Sequence, residues 1–274
     1  MLHRITLTEE VKVTGRDYFG RKAWIKFTPA RQNGWWWQYH PQEKPVLITP
    51  EIVRYFFRRL TLCHQDYRLQ IYEHIGVLRF IGLDGIIISG SAWPPYHGRP
   101  YEIWQKLKPR CKVNQLSTIG WQTIAQPLRF NYDHRRTGFL RITPTNSCCL
   151  TADIHCNYPG VGKSELRHSV PTGPIENAFK IKSQGWPPRY YYPSLLLSKI
   201  GWPTHYAINW PQTDDPKKVA IHFATHRLID LLGAFSLLGN PDCLLAADIE
   251  SECAGHEADL SLVFQANNML VPLK

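Results

Sequence analysis

Two histidines and an aspartate stand four residues apart in the segment His222-Phe-Ala-Thr-His226-Arg-Leu-Ile-Asp230. On a helix this spacing places side chains one above the other, so His226 and Asp230 could chelate one metal ion from the same face. Imidazole and carboxylate groups are ligands of catalytic zinc, which keeps one coordination position open for water. A His and an Asp at this spacing are also typical of a solvated or capping pair, so the motif needs further ligands to indicate a metal.

Two other segments could supply the missing groups. Glu73-His74 opens a predicted helix and would place a general base beside a metal ligand, although the helix dipole alone also favours an acidic residue in the first turn. Gly255-His256 lies in a polar stretch that is typical of a loop, from which His256 could act as a general acid. The simpler interpretation of His256 is an exposed surface histidine.

The elements that carry these histidines repeat along the chain. His74 and His226 each stand on an amphipathic helix that ends at a glycine, Gly82 or Gly239, as a C-terminal cap requires. A short apolar strand follows each helix, at residues 86–88 and 243–247. We therefore expect an α+β fold of two similar domains, each a β-sheet packed with helices, with the active site in the cleft between them. Chance is the alternative, because helix–glycine–strand is a common arrangement.

Alternating or apolar runs predict further strands at residues 4–13, 22–28, 69–71, 128–132, 138–142, 149–156 and 205–209. Residues 50–60 are expected to form a helix, with Thr49 as its N-cap and Pro50 at the first helical position. The polar stretch 106–123 is the expected domain junction, which gives a first domain of residues 1–115 and a second of residues 116–274.

Composition narrows the class of protein. The 274 residues include 32 basic and 22 acidic ones, and the net charge of +10 favours an anionic partner: nucleic acid, a membrane surface or a phosphorylated small molecule. The seven cysteines are odd in number and form no CxxC pair, which argues against a disulfide framework and a zinc ribbon. No apolar run approaches the length of a transmembrane helix, and the first residues lack the apolar core of a secretory signal, so we expect a cytoplasmic protein.

Two patterns imitate functional sites. Gly160-Val-Gly-Lys-Ser164 resembles the end of a phosphate-binding P-loop, but Asn157 stands where the pattern needs glycine, so we expect an ordinary loop. Three cysteines and a histidine share one alternating strand region whose neighbouring side chains point to opposite faces. Buried thiols are the better interpretation of this group, Cys148, Cys149, His155 and Cys156.

Aromatic tracts at residues 35–39 and 186–192, and the basic aromatic run at 54–59, could stack nucleic-acid bases or line an acyl-chain groove. Core packing is the leading interpretation, because nucleic-acid modules usually interleave more Lys and Arg with their aromatic residues. We therefore expect no nucleic-acid partner.

Taken together and in order, these segments resemble the UDP-3-O-acyl-N-acetylglucosamine deacetylase family, the zinc amidases of lipid A synthesis. Tyr72-Glu-His-Ile-Gly-Val-Leu-Arg-Phe-Ile-Gly-Leu-Asp-Gly85 is similar to the family's V-E-H-L-x-x-A-L-x-G-L-G-I-D-N. His226-Arg-Leu-Ile-Asp-Leu-Leu-Gly233 is similar to its H-K-x-L-D-x-I-G, and Gly255-His256 to its late S-G-H. Weaker similarity at residues 20–30 and 150–159 extends the resemblance over nearly the whole chain.

The resemblance implies a zinc site held by His74, His226 and Asp230, with iron(II) as the alternative metal. It implies that Glu73 is the general base, and that His256 is the general acid or stabilises the oxyanion. The implied fold is two α+β domains with the metal in the cleft between them.

The resemblance also implies a reaction, the hydrolysis of the acetamide of UDP-3-O-acyl-N-acetylglucosamine. We also expect the protein to be a monomer. Arg227 stands where the family has a lysine near the substrate phosphate, so it is the expected substrate-binding residue. The basic surplus suits a nucleotide-sugar partner.

The chain departs from the family pattern in three places. Pro95-Tyr-His-Gly-Arg-Pro100 replaces the family's I-M-D-G-S-A and keeps only Gly98. Ala178 stands where a threonine should help to hold the substrate carbonyl, and Ala234 where an aspartate should orient the catalytic histidine. Two alternatives therefore stay open: a zinc deacetylase of a different N-acetyl sugar, and a metal-binding relative without turnover. Glu73 argues against the second, because it is not needed to hold metal.

Overall fold

The chain forms a mixed α+β structure, seen in a computed structural model that describes residues 1–17, 19–56, 58–132, 137–158, 162–180, 183–186, 207–209 and 216–273. The α-helices of this described part are α1 (Tyr72–Gly76), α2 (Pro100–Leu107), α3 (Pro216–Phe235) and α4 (His256–Asn267). Short 3-10 helices lie at Pro50–Ile52, Val77–Ile81, Pro95–Gly98, Lys108–Arg110 and Ile175–Lys180.

The strands of the first half are β1 (His3–Leu7), β2 (Val11–Arg16), β3 (Lys22–Pro29), β4 (Trp35–Trp37), β5 (Val46–Leu47), β6 (Val53–Phe56), β7 (Arg59–His64), β8 (Tyr67–Leu69), β9 (Ile86–Gly90) and β10 (Cys111–Thr118). Those of the second half are β11 (Gly120–Ile124), β12 (Leu128–Tyr132), β13 (Gly138–Pro144), β14 (Leu150–Tyr158), β15 (Gly162–Val170), β16 (Ser183–Trp186), β17 (Ala207–Asn209), β18 (Cys243–Leu245), β19 (Ala247–Glu252) and β20 (Leu270–Pro272).

Two five-stranded sheets share one topology. Their orders are β2-β3-β9-β4-β5 and β12-β13-β19-β14-β15. In each sheet the central strand pairs antiparallel with one neighbour and parallel with the other, and both edge strands pair antiparallel. The central strands β9 and β19 follow α1 and α3 along the chain. The repeated helix–strand pattern thus extends to whole sheets, although β19 rather than β18 takes the place of β9.

The smaller sheets are β1-β10, β18-β11-β20, β6-β7-β8 and β16-β17. Strand β10 runs without interruption through residues 115 and 116 and pairs antiparallel with β1. The domain boundary between these two residues stays a prediction.

The helix expected at residues 50–60 is wrong. Only Pro50–Ile52 forms a 3-10 turn, Thr49 makes no side-chain cap bond, and β6 and β7 follow as an antiparallel pair. Val53 and Leu62 face each other in this pair and are fully buried, while Arg54 is exposed. The antiparallel pairing of β6 with β7, which buries Val53 opposite Leu62, overrode the helix-start signal. Residues 4–13 likewise form two strands rather than one.

The apolar core confirms the packing interpretation of the first aromatic tract, because Trp35 and Trp37 are buried. The second tract lies outside the described residues beyond Trp186, and residues 205–206 of the last predicted strand lie outside them too. None of the seven cysteines, all of which lie among the described residues, forms a disulfide; Cys156 is buried whereas Cys148 is exposed. Among the described residues, no helix combines the length and apolarity needed to cross a membrane.

Candidate metal centre

Helix α1 is a single buried turn that brings Glu73 and His74 into the interior; both are buried. The residue before the helix, Ile71, is its N-cap and has a left-handed φ of 61°. The helix continues into the 3-10 helix Val77–Ile81, which ends at Gly82 with a φ of 97°. Gly82 therefore supplies the left-handed cap that its position in the sequence predicts.

Helix α3 presents His226 and Asp230 toward α1. Nε2 of His226 lies 3.4 Å from Oδ2 of Asp230, as the spacing of four residues predicts. Nε2 of His74 lies 3.3 Å from Oδ1 of the same carboxylate. The ligand atoms of these three buried residues all fall within 4.8 Å of one another.

The spacing of the three groups is compatible with one zinc ion. Two ligand atoms about 2.1 Å from zinc at a tetrahedral angle are about 3.4 Å apart. The separations of His74 Nε2 from Oδ1 of Asp230 and of His226 Nε2 from Oδ2 are both close to this value. Oδ1 of Asp230 is buried and receives no hydrogen bond among the described residues. A buried carboxylate oxygen left unpaired is costly, so a cation is the natural partner for this atom.

His74 is oriented by a backbone group of an unusual turn. Its Nδ1 donates to the carbonyl oxygen of His97 at 3.1 Å, which turns Nε2 toward Asp230. Tyr96 and His97 both have φ 55° and Gly98 has φ 69°, so three consecutive residues are left-handed. Non-glycine residues held in this region are strained, and such strain concentrates at functional sites.

Glu73 and His256 form the second half of the cluster. Oε2 of Glu73 accepts the backbone N–H of Leu60 at 2.9 Å, while Oε1 is buried and receives no hydrogen bond among the described residues. Nε2 of His256 lies 3.9 Å from Oε1 of Glu73 and 3.6 Å from Oδ2 of Asp230. The loop expected around His256 is wrong, because this residue begins α4 and Gly255 is the N-cap.

Arg227 points away from the three candidate ligands into a buried ion pair. Its Nη1 donates to Oδ2 of Asp259 at 2.5 Å, its Nη2 donates to Oδ1, and its Nε donates to Ser251 Oγ at 3.3 Å. Asp259 is fully buried and Arg227 is 5% exposed. The substrate-binding role of Arg227 stays a prediction, but both arms of its guanidinium are already occupied by a carboxylate.

Burial and neighbouring charges set the protonation states of His226 and Asp230. Burial lowers the pKa of His226 to about 3, against the opposing effect of Asp230. Burial alone would raise the pKa of Asp230, but His226, His256 and His74 hold it below its usual range. His226 is therefore neutral and Asp230 ionised at neutral pH, which are the forms that bind metal.

No known family model matches the chain, and no curated protein matches it. The interpretation of the cluster therefore depends on its geometry.

All five residues expected to hold metal or act in catalysis lie in this one cluster: Glu73, His74, His226, Asp230 and His256. The contributions of Leu60 and His97 were missed, and no sequence signal could have shown them, because both act through backbone atoms that every residue carries. Asp259 was also missed, although it stands three residues after His256, a spacing at which helix side chains meet.

Three further expectations concern the segment 160–164, Ala178 and Ala234. Residues 162–164 belong to β15, so the loop expected there is wrong for them, while residues 159–161 lie outside the described residues. Ala178 is buried in a 3-10 helix, and Ala234 is buried on α3. Neither methyl group can donate or accept a hydrogen bond.

Proposed function

We propose that this protein is a zinc-dependent N-deacetylase that hydrolyses the acetamide of UDP-3-O-acyl-N-acetylglucosamine. The observation that carries the proposal is that three buried side chains able to bind a metal ion lie beside a glutamate and a histidine that could transfer protons. His74, His226 and Asp230 would hold the ion, which leaves a coordination position for the reaction. When bound, zinc would polarise the amide carbonyl and favour the attack of water on it.

Glu73 has the properties of the general base. Its Oε2 is fixed by the Leu60 N–H, while its Oε1 has no donor among the described residues and faces His256. This oxygen takes the proton of the water that attacks the acetyl carbon.

His256 has the properties of the general acid. Its Nε2 faces both carboxylates across the site at less than 4 Å. It gives a proton to the amide nitrogen as the C–N bond breaks, so that acetate and a free amine leave. Glu73 and His256, which face each other in the site, thereby divide proton removal and proton delivery between them.

The repeated sheet topology supports the finer architecture of this proposal. The central strands β9 and β19 follow the two helices that bear the candidate ligands, so two similar α+β domains would each contribute half of a site in the cleft between them.

Two observations favour narrower alternatives. The altered turn Pro95–Gly98 suits a deacetylase of another N-acetyl sugar, because this turn packs beside His74. Ala178, which lacks the hydroxyl that would hold a substrate carbonyl, suits a metal-binding relative without turnover.

Mass spectrometry of the zinc-loaded protein with UDP-3-O-acyl-N-acetylglucosamine, UDP-N-acetylglucosamine and free N-acetylglucosamine tests the proposal. We expect acetate release from the acylated nucleotide sugar, loss of this release in Asp230→Ala, and retention in Asp248→Ala, which removes an exposed aspartate from β19. Hydrolysis of another sugar alone would favour the first alternative. Stoichiometric metal with no hydrolysis of any sugar would favour the second.

A further inference from the structure

We infer that Asp259 is a positioning residue that holds His256 for proton transfer, and that Arg227 serves to fix Asp259 instead of contacting the substrate. This inference rests on the proposed function for its kinetic consequences. The orientation of the His256 ring, which is the structural part of the inference, can be tested without a substrate.

The carboxylate of Asp259 lies against the inner nitrogen of His256. Nδ1 of His256 is 3.8 Å from Oδ2 of Asp259, on the side of the ring opposite the Nε2 that faces Glu73 and Asp230. This Nδ1 is buried and makes no hydrogen bond to any described residue. A small rotation of the ring would close the gap and make Oδ2 the acceptor of the Nδ1 hydrogen.

The Asp259 carboxylate is itself immobilised. Arg227 from α3 donates to both of its oxygens, and Ser251 from β19 accepts from Arg227 Nε. A bidentate Arg–carboxylate pair fixes orientation as well as charge. Burial alone would lower the pKa of Arg227, but Asp259 raises it, so the guanidinium stays charged.

Placement on two helices makes the arrangement rigid. Asp259 and His256 are three residues apart on α4, where side chains at this spacing meet, and Arg227 follows the candidate ligand His226 on α3. The ion pair therefore couples the helix of the metal ligands to the helix of the candidate acid. Ala234, one turn after Asp230 on α3, carries no polar group that could orient His256 in its place.

The direct test is the ring spectrum of His256 in the 15N-labelled, zinc-loaded protein. We expect the wild type to show one state with hydrogen on Nδ1. Asp259→Asn should perturb this state, but it leaves Arg227 buried without its counter-ion and could prevent folding. The double variant Arg227→Met with Asp259→Leu removes both charges together, and it should fold and lose the single Nδ1-protonated state. Glu257→Gln removes an exposed acidic charge beside His256 on the same helix and should leave the spectrum unchanged.

Kinetics provide the second readout. Asp259→Asn should lower kcat by about 10- to 100-fold, as the loss of an orienting partner does, with KM within about twofold. In a His256→Ala background the same change should cause no further loss, because the residue that it positions is gone. An unchanged His256 spectrum in both Asp259 variants would overturn the inference, and so would an equal kinetic loss in the two backgrounds. If the wild type hydrolyses no amide, the proposed function fails, and the ring spectra still decide the role of Asp259.

Discussion

A Cβ atom on Gly233 would lie 1.7 Å from the backbone oxygen of Glu73, so α3 meets α1 backbone to backbone. On the facing side, a Cβ on Gly76 would lie 2.5 Å from Ser236 Oγ and 2.9 Å from the backbone oxygen of Gly233. This close crossing brings Glu73 and His74 to the face of α3 that carries His226 and Asp230. Gly76 and Gly233 are therefore needed for the close approach of the two helices that carry the candidate site residues.

Gly233→Ala is expected to separate the helices and destabilise the protein by about 3 kcal/mol, at the upper end of the usual cost of overpacking. Denaturant unfolding, with zinc affinity measured beside it, checks this. Gly255→Ala is the control, because a Cβ there meets nothing within 4 Å. Equal stability of the two variants would contradict the role of the crossing.

Glu73→Gln keeps the shape of the side chain and an oxygen for the Leu60 N–H but removes the base. We expect acetamide hydrolysis to fall by about 10²- to 10⁴-fold while the metal content stays unchanged. Steady-state kinetics and elemental analysis measure the two quantities, with Glu43→Gln at an exposed position as the control. Full activity in Glu73→Gln would remove this residue from the mechanism.

Gly98→Ala is expected to weaken zinc binding about tenfold, because the orientation of His74 depends on the left-handed turn. A Cβ at Gly98 would lie 3.3 Å from Cγ2 of Ile71 and 3.4 Å from Cβ of His74. Gly162→Ala is the matched control, since Gly162 also has a positive φ but has no neighbour within 4 Å. Competitive titration with a metal chelator compares them, and equal affinities would show that the turn does not position His74.

Metal-free protein should lose stability as the pH falls. The folded pKa of His226 is about 3, below its ordinary value, so the unfolded chain binds a proton that the folded chain excludes. The stability is present above pH 6.5 and is lost as the pH falls toward 3, at about 1.4 kcal/mol for each pH unit per group. The lowered pKa of Asp230 adds a loss of the same sign at still lower pH.

His226→Gln should reduce this pH dependence without abolishing it, because burial also lowers the pKa of His97. His3→Gln, at an exposed residue, should leave it intact. Denaturant unfolding between pH 4 and 8 provides the measurement. A wild-type stability that rises on acidification would show that His226 is not buried in its neutral form.

Much of the fold was predictable where a local pattern dominates. Residues 128–132 form β12 as predicted, and Gly82 is the left-handed cap that the sequence predicts. Gly239 also has a positive φ, but α3 already ends at Phe235. The pattern failed at residues 50–60, where start signals for a helix precede two strands that pair with each other. It also failed at His256, because the polar residues of α4's first turn are typical of loops as well as of helix starts.

The candidate ligands were predictable because the residue type alone shows which side chains carry an imidazole or a carboxylate. The atoms that hold them were not. The carbonyl of His97 and the N–H of Leu60 come from backbone positions fixed by tertiary packing. The Arg227–Asp259 pair joins residues 32 apart, a separation at which the sequence alone gives no reason to pair them.

The most direct test of the central claim is the metal content of the purified protein, measured by elemental analysis in the wild type and in His226→Ala and Asp230→Ala. His222→Ala, one turn earlier on α3, is the control. We predict one zinc or iron ion per chain in the wild type and the control, and its loss in both ligand variants. A wild type that binds no metal, or ligand variants that keep it, would contradict the account.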